Sequence, residues 1–78
     1  MPIKIIAAVY AANKEGKDVT QDCIQIVAGG SNVIPVNDTT FGEPDYGATK
    51  YFTITYSNGA QTFYQGCQEG TNLVLSPS

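Results

Sequence analysis

The chain has 78 residues, of which 14% are charged, and its net charge is −3 with no His, Arg or Trp. This length is enough for one domain, residues 1–78, and excludes a second hydrophobic core. The scarcity of cations argues against nucleic acid as a partner, because phosphate contacts require clustered Lys and Arg. No apolar run is long enough to cross a bilayer, so we predict no membrane span.

Apart from a helix and a hairpin described below, the sequence predicts three strands and one loop. Residues 3–10 are β-branched and apolar on both faces, which is typical of a central strand. Residues 11–18 contain Asn, Lys, Glu and Gly and are predicted to form an exposed loop. Residues 32–36 are predicted to form a short strand, and Pro35 places it at an edge or a bulge because proline cannot donate to a ladder. Residues 71–75 form a last strand, which we expect to close the sheet.

A short helix is predicted over about residues 21–28. Thr20 is placed to cap its free amides, and Asp22 in the first turn suits the helix dipole. The pair Gly29-Gly30 is a stop signal. The apolar face of this helix carries Cys23, Ile24 and Val27. A strand through residues 24–27 is the alternative.

A β-hairpin is the clearest local signal. Residues 49–57 alternate, Asn58-Gly59 is typical of a two-residue type I′ turn, and residues 60–67 return. A register that closes on this turn places Ile54 opposite Phe63. The predicted core face carries Phe52, Ile54, Phe63 and Cys67. The predicted outer face carries Tyr51, Thr53, Thr55, Thr62 and Tyr64.

Together these elements predict a mainly β (α+β) fold, an antiparallel sheet or small sandwich of about five strands with one short helix. We expect a disulfide between Cys23 and Cys67, because small domains of low charge are often stapled in an oxidising compartment. A closed loop of about 44 residues would stabilise the fold by on the order of 4 kcal/mol. The alternative is a pair of unlinked, buried thiols in a cytosolic protein.

Catalytic chemistry has little support in the residue types present. Nucleophilic catalysis needs a base beside the nucleophile, and His, the usual base, does not occur in this chain. Glu43 and Asp45 lie two apart in a Gly- and Pro-containing loop, where solvated turn residues are a commoner interpretation than an acid and a base. We therefore predict no enzymatic activity, no cofactor and no metal site.

The loop over residues 37–47 is the most distinctive stretch, and long loops in small domains are often functional. Tyr46 could act as a stacking platform, with polar groups that hydrogen-bond a sugar or peptide. Those polar residues are Asn37, Asp38, Glu43 and Asp45. A calcium site would use the carboxylates but lacks EF-hand spacing. A purely structural loop, with Phe41 folded into the core, is the third interpretation. Residues 37–39 also match an N-glycosylation acceptor.

The Tyr and Thr residues of the outer hairpin face allow three interpretations. They can reflect β-propensity on a solvated surface. They can also anchor a homodimer or bind a glycan, since Tyr is favoured in both settings. We expect a homodimer, because a thin monomer gains core by pairing.

Two stretches together resemble a small β-rich domain of unknown function. They are residues 18–20 (Asp-Val-Thr) before the helix, and Asn37-Asp38 with residues 41–50 leading into a strand. That domain occurs at the C-terminus of mitochondrial DnaJ-type co-chaperones and as stand-alone microbial proteins, and the resemblance spans about residues 3–75. It implies an intracellular scaffold role with no catalytic residues. The co-chaperone version usually lacks the cysteine pair.

The cysteines and the polar, His-free composition resemble the small secreted cysteine-containing proteins of filamentous fungi, such as those of Trichoderma. This resemblance implies a secreted, non-catalytic, effector- or elicitor-like protein that contacts a protein or glycan on a plant or microbial host surface. Residues 1–10 contain no export signal, so we expect a signal peptide upstream in the precursor. The alternatives are a carbohydrate-binding module or lectin that uses Tyr46, Tyr51 and Tyr64, and the co-chaperone-like scaffold.

Overall fold

A computed structural model describes residues 3–12, 15–42 and 49–75 of the chain. Within these residues the strands are β1 (Ile3–Ala11), β2 (Gly16–Asp18), β3 (Val33–Val36), β4 (Tyr51–Asn58), β5 (Gln61–Gln68) and β6 (Thr71–Val74). The helices are α1 (Thr20–Ala28) and α2 (Asp38–Phe41). All strand pairs are antiparallel. The mainly β fold class is therefore confirmed, with six strands and two short helices in the described residues instead of about five strands and one helix.

The strands form two sheets that enclose one core. The large sheet has the order β2-β1-β4-β5, and β3 pairs with β6 in a separate two-stranded sheet. One face of the large sheet supplies Ile5, Ala8, Tyr10, Phe52, Ile54 and Tyr56 to the core. The layer of α1, α2, β3 and β6 supplies Cys23, Ile34, Val36, Phe41 and Leu73. The large sheet therefore buries one face and leaves the other as a separate surface.

The last strand does not close the large sheet, so that prediction is wrong. Gly70 has φ 92°, a left-handed conformation that favours glycine, and its N–H donates to the carbonyl of Val36 at 2.7 Å. The chain is thereby turned away from β5 and onto β3, where Leu73 pairs with Ile34. The predicted edge position of the Pro35 strand is confirmed, because β6 is its one neighbour in the described sheet.

The first strand is confirmed and lies centrally, between β2 and β4. The predicted loop over residues 11–18 is wrong in its last part, because Gly16–Asp18 pairs with β1 as β2. Gly16 faces Ala11, and a Cβ on Gly16 would lie 3.0 Å from that of Ala11. Three residues are too few to show the alternation of apolar and polar residues that marks a strand. The sequence pattern therefore does not predict β2.

The helix is confirmed, and the alternative strand over residues 24–27 is wrong. Thr20 is not the N-cap but the first helical residue, and Val19 stands before it without a side-chain cap. The Thr20 hydroxyl accepts from Ala8 N at 3.0 Å, and Asp18 Oδ1 accepts from Thr20 N at 2.9 Å. The Asp-Val-Thr motif therefore joins α1 to the side of β1 at the end of β2. Gly29 and Gly30 end the helix as predicted.

The hairpin is confirmed with a register that differs by two residues. Asn58 pairs with Gln61, and Phe63 faces Tyr56 rather than Ile54. Gly59 has φ 69°, and no residue other than glycine has a positive φ in the described chain. A positive φ at the first turn position only is the type II′ pattern, so Gly59-Ala60 forms the turn. A shift of two preserves side-chain alternation, and the two predicted faces keep their members.

The predicted disulfide is not formed, because Cys23 and Cys67 are both free thiols. Cys23 is buried on α1, which packs against β1, whereas Cys67 lies on β5. β5 is two strands from β1, a spacing of about 10 Å. The two thiols therefore lie on different elements of the fold and are not bonded to each other.

Candidate binding face of the sheet

The face of the large sheet that points away from the core is the candidate site, and we call it the outer face. It carries Tyr51, Thr53 and Thr55 from β4, Thr62, Tyr64 and Gly66 from β5, and Val9 from β1. Alternation along each strand selects these residues, because their neighbours enter the core. All five Tyr and Thr residues predicted for this surface lie together on it.

The ladder registers determine the arrangement of the two tyrosines. Thr53 pairs with Val9 on one side and with Gly66 on the other, which makes a row of small side chains across three strands. Tyr51 stands beyond one side of this row, and Tyr64, opposite Thr55, stands beyond the other. Their Cα atoms are about 14 Å apart at ordinary strand spacings. The side chains of Tyr51 and Tyr64 are 56% and 76% exposed.

Glycine at position 66 keeps the floor between the tyrosines low. A Cβ added there would lie 3.2 Å from the backbone oxygen of Phe52 and 3.5 Å from Thr53 Cγ2. Beside Tyr51 the surface forms an open depression of about 540 Å³. Its lining residues are Val9, Ala11, Ala12, Thr49, Tyr51 and Thr53. The result is a shallow apolar floor with ring faces and hydroxyl groups at its sides.

Charged residues of the described chain border the outer face rather than occupy its centre. Asp18 lies opposite Val9 on β2, and Lys4 lies opposite Ser57 near the other end of β1. The hydrogen bonds from the Thr20 hydroxyl and the Thr20 N–H lower the pKa of the Asp18 carboxyl below its ordinary value of 3.8. The centre of the face is therefore suited to an uncharged or amphipathic ligand.

The polar loop residues predicted as ligand contacts have structural roles where they are described. Asn37 Oδ1 accepts from Thr40 N at 2.8 Å and caps α2. Asp38 accepts a hydrogen bond from the Tyr10 hydroxyl at 2.6 Å. Phe41 is buried, and its ring stacks on that of Phe52 with centroids 5.4 Å apart, as the structural interpretation expects. The predictions for Glu43, Asp45 and Tyr46 lie outside the described residues.

Lys50 is a buried polar residue that was not predicted from the sequence. Lys50 is only 2% exposed, and its Nζ lies 3.3 Å from Asp38 Oδ2 and 3.9 Å from Glu69 Oε1. Glu69 Oε1 also accepts from Lys50 N at 2.6 Å. These contacts join α2, the start of β4 and the turn after β5. Lys50 lies two residues before Phe52 and four before Ile54, both buried, so strand alternation predicts that its side chain also points to the core.

Burial disfavours the thiolate form of both cysteines. Burial, followed by the nearby charge of Asp22, raises the pKa of the Cys23 thiol to about 12. Burial also raises the pKa of Cys67. Nucleophilic attack and metal binding require the thiolate, which is the form that burial disfavours here. Over the described part of the chain, no group of three His, Cys, Asp or Glu side chains is arranged to hold a metal ion.

Comparison with known proteins gives no relative for this chain: no family model, curated protein or solved structure matches it. The resemblances to the co-chaperone domain and to the secreted fungal proteins therefore remain predictions. Among the helices of the described residues, none is long and apolar enough to cross a membrane.

Proposed function

We propose that this protein is a small, non-catalytic binding protein that contacts a protein or glycan surface through its outer face. The observation that supports this proposal is the pair of exposed tyrosines, Tyr51 and Tyr64, on both sides of an uncharged floor. Exposed Tyr side chains on such a face offer a partner a large contact area at low entropic cost.

A glycan-binding module is the second candidate function. In register, the Thr53 side chain lies between the two rings and Thr55 lies opposite Tyr64, so hydroxyl groups and aromatic faces occur on one surface. Sugars are bound by this combination of stacking and hydrogen bonding. A glycan array tests this candidate: binding that is lost in Tyr51→Ser supports it, and an array without signal above background overturns it.

An extracellular location is part of the proposal and is supported by composition, namely low charge without His or Arg. The free thiols remove the disulfide as an argument for an oxidising compartment. The natural precursor provides the test. A signal peptide upstream of Met1 supports secretion, and a precursor without one overturns this part of the proposal.

Site-specific photo-cross-linking tests the binding face itself. A photoreactive phenylalanine analogue replaces Tyr51 in one protein and Gln25 in another, and each is irradiated with cell-surface extracts of plant and microbial cells. Gln25 is exposed on α1, in the layer on the other side of the large sheet, and serves as the matched control. We expect discrete adducts from position 51 and none from position 25.

Competition with unlabelled protein gives a second readout. Unlabelled wild-type protein should suppress the adducts, and unlabelled Tyr64→Ser protein should suppress them less. Equal labelling from positions 51 and 25, or adducts that do not respond to competition, would overturn the proposal. Adduct masses separate a foreign partner from a second copy of the 8.3 kDa chain.

A further inference from the structure

The outward edge of β5 is a second interaction surface, formed by its backbone groups and adjoining the outer face. Within residues 3–12, 15–42 and 49–75, no strand pairs with β5 on the side away from β4. β5 has eight residues, Gln-Thr-Phe-Tyr-Gln-Gly-Cys-Gln, with neither charge nor proline. Its ladder with β4 has no register shift. Long, regular and uncharged edges of this kind are templates for another strand.

The direction of the backbone groups on β5 follows from one hydrogen bond. Glu69 N donates to the carbonyl of Lys50 at 2.9 Å, which continues the β4–β5 register beyond the last paired residues. Hydrogen-bonded and non-hydrogen-bonded pairs alternate in an antiparallel ladder, so odd-numbered β5 residues bond to β4. The N–H and C=O groups that point outward therefore belong to Thr62, Tyr64, Gly66 and Gln68.

The opposite edge of the same sheet lacks these properties. β2 has three residues, and two of them, Lys17 and Asp18, are charged. Short strands and charged side chains are the usual protection of a sheet edge against pairing. Glu69, the acidic residue next to β5, is held against Lys50 at 3.9 Å. Two copies of a chain of net charge −3 can thus bring their β5 edges together without opposing like charges.

We propose that a second copy of this chain pairs with β5 in antiparallel orientation, so that two large sheets form one continuous sheet of eight strands. A two-fold axis at Gln65 places Tyr64 of each copy opposite Gly66 of the other. The missing side chain at Gly66 leaves space for the highly exposed Tyr64 ring. Donors and acceptors then match along the edge, since a two-fold axis pairs each outward group with its complement.

This inference specifies how the expected homodimer forms and extends the outer face across two copies. It does not depend on which ligand that face binds. Sedimentation equilibrium over a concentration series is the first test, and we expect a mass that rises from 8.3 kDa toward twice that value. Tyr64→Lys should weaken self-association by at least about tenfold, because it places charge on the pairing edge. Tyr51→Lys adds the same charge to β4 and should leave association unchanged.

Amide hydrogen exchange identifies the surface independently of any substitution. We expect the N–H groups of Thr62, Tyr64, Gly66 and Gln68 to gain protection with concentration, while those of Phe63 and Gln65 are protected throughout. A chain that stays monomeric at all concentrations overturns the inference, as does a dimer in which the four outward amides gain no protection. Cross-linking from position 51 to a foreign partner would survive either outcome, so the two proposals fail separately.

Discussion

Strand β4 contributes alternate residues to two unlike surfaces of the large sheet. Phe52, Ile54 and Tyr56 are almost completely buried in the core, whereas Tyr51 is more than half exposed on the outer face. The inner residues are required by packing, since they are the contacts from which a small domain gains its stability. The outer residues have no such requirement. The inner aromatic residues are therefore explained by packing of the core, whereas exposed Tyr51 adds little to it.

Replacing an aromatic residue of the core should have the largest effect on the free energy of unfolding. Phe52→Ala removes a fully buried ring that stacks on Phe41 at 5.4 Å. We expect the free energy of unfolding to fall by about 3–5 kcal/mol, from both lost transfer energy and the cavity left behind. That is a large share of the total for a domain of this size. Urea denaturation followed by circular dichroism measures the change.

The matched control for this prediction is the next residue along the strand. Tyr51→Ala should change the free energy of unfolding by no more than about 0.5 kcal/mol, because its ring lies on the outer face. Similar losses for Phe52→Ala and Tyr51→Ala would show that the two faces do not differ in the way described.

Replacing Lys50, the buried residue directly before β4, should have an intermediate effect on the free energy of unfolding. Lys50→Met leaves the carboxylates of Asp38 and Glu69 without their buried cation. Because those side chains are 33% and 30% exposed, water can compensate them in part. We expect a loss of about 2 kcal/mol, below the 3–5 kcal/mol of a fully buried pair. Thermal and urea unfolding measure it, and Lys4→Met on the exposed part of β1 is the control. Equal stability of the two variants would contradict the structural role of Lys50.

Replacing Asp18, at the border of the outer face, should have the smallest effect on the free energy of unfolding. The size of that effect should depend on pH. The folded pKa of Asp18 is lowered, so its stabilising contribution is present above the unfolded pKa and is lost as pH falls through the folded value. Asp18→Asn should therefore be less stable than wild type near neutral pH, with a difference that narrows in acid. Urea unfolding at a series of pH values measures it, and Glu15→Gln is an exposed control near the same edge. A difference that is constant with pH would contradict the assignment.

Predictions from local pattern agree with the structure more closely than predictions of pairing. The helix between its glycine stop and the Asp-Val-Thr motif, the strand over residues 3–10 and the two faces of the hairpin are found as expected. The hairpin register, the partner of β6 and the short strand β2 are not. The partners of β2 and β6 depend on contacts between residues that are distant in the chain. The hairpin register depends on whether Gly59 is the first or the second residue of the turn, and the local sequence fits both.

The candidate site follows the same division. Tyr51, Thr53, Thr55, Thr62 and Tyr64 could be grouped from sequence because side-chain direction on a strand has a period of two residues. The floor at Gly66 and the row that joins it to Val9 could not, since both require the registers of two ladders. The charge cluster around Lys50 could not be predicted either, because it joins residues 38, 50 and 69, which are far apart in the chain.

Among the described elements, the sequence by itself determined helix α1 and every strand except β2. It also determined the sorting of side chains between core and surface, and a hairpin with two outward tyrosines. These are properties of neighbouring residues, and short-range periodicity specifies them. Tertiary structure alone decided that β6 leaves the large sheet, that Cys23 and Cys67 are not bonded to each other, and that β5 becomes an edge. Those outcomes depend on which distant segments pack together. A strand can form hydrogen bonds with several partners, and an apolar face can be covered by several segments, so only the packing of the whole chain fixes the arrangement.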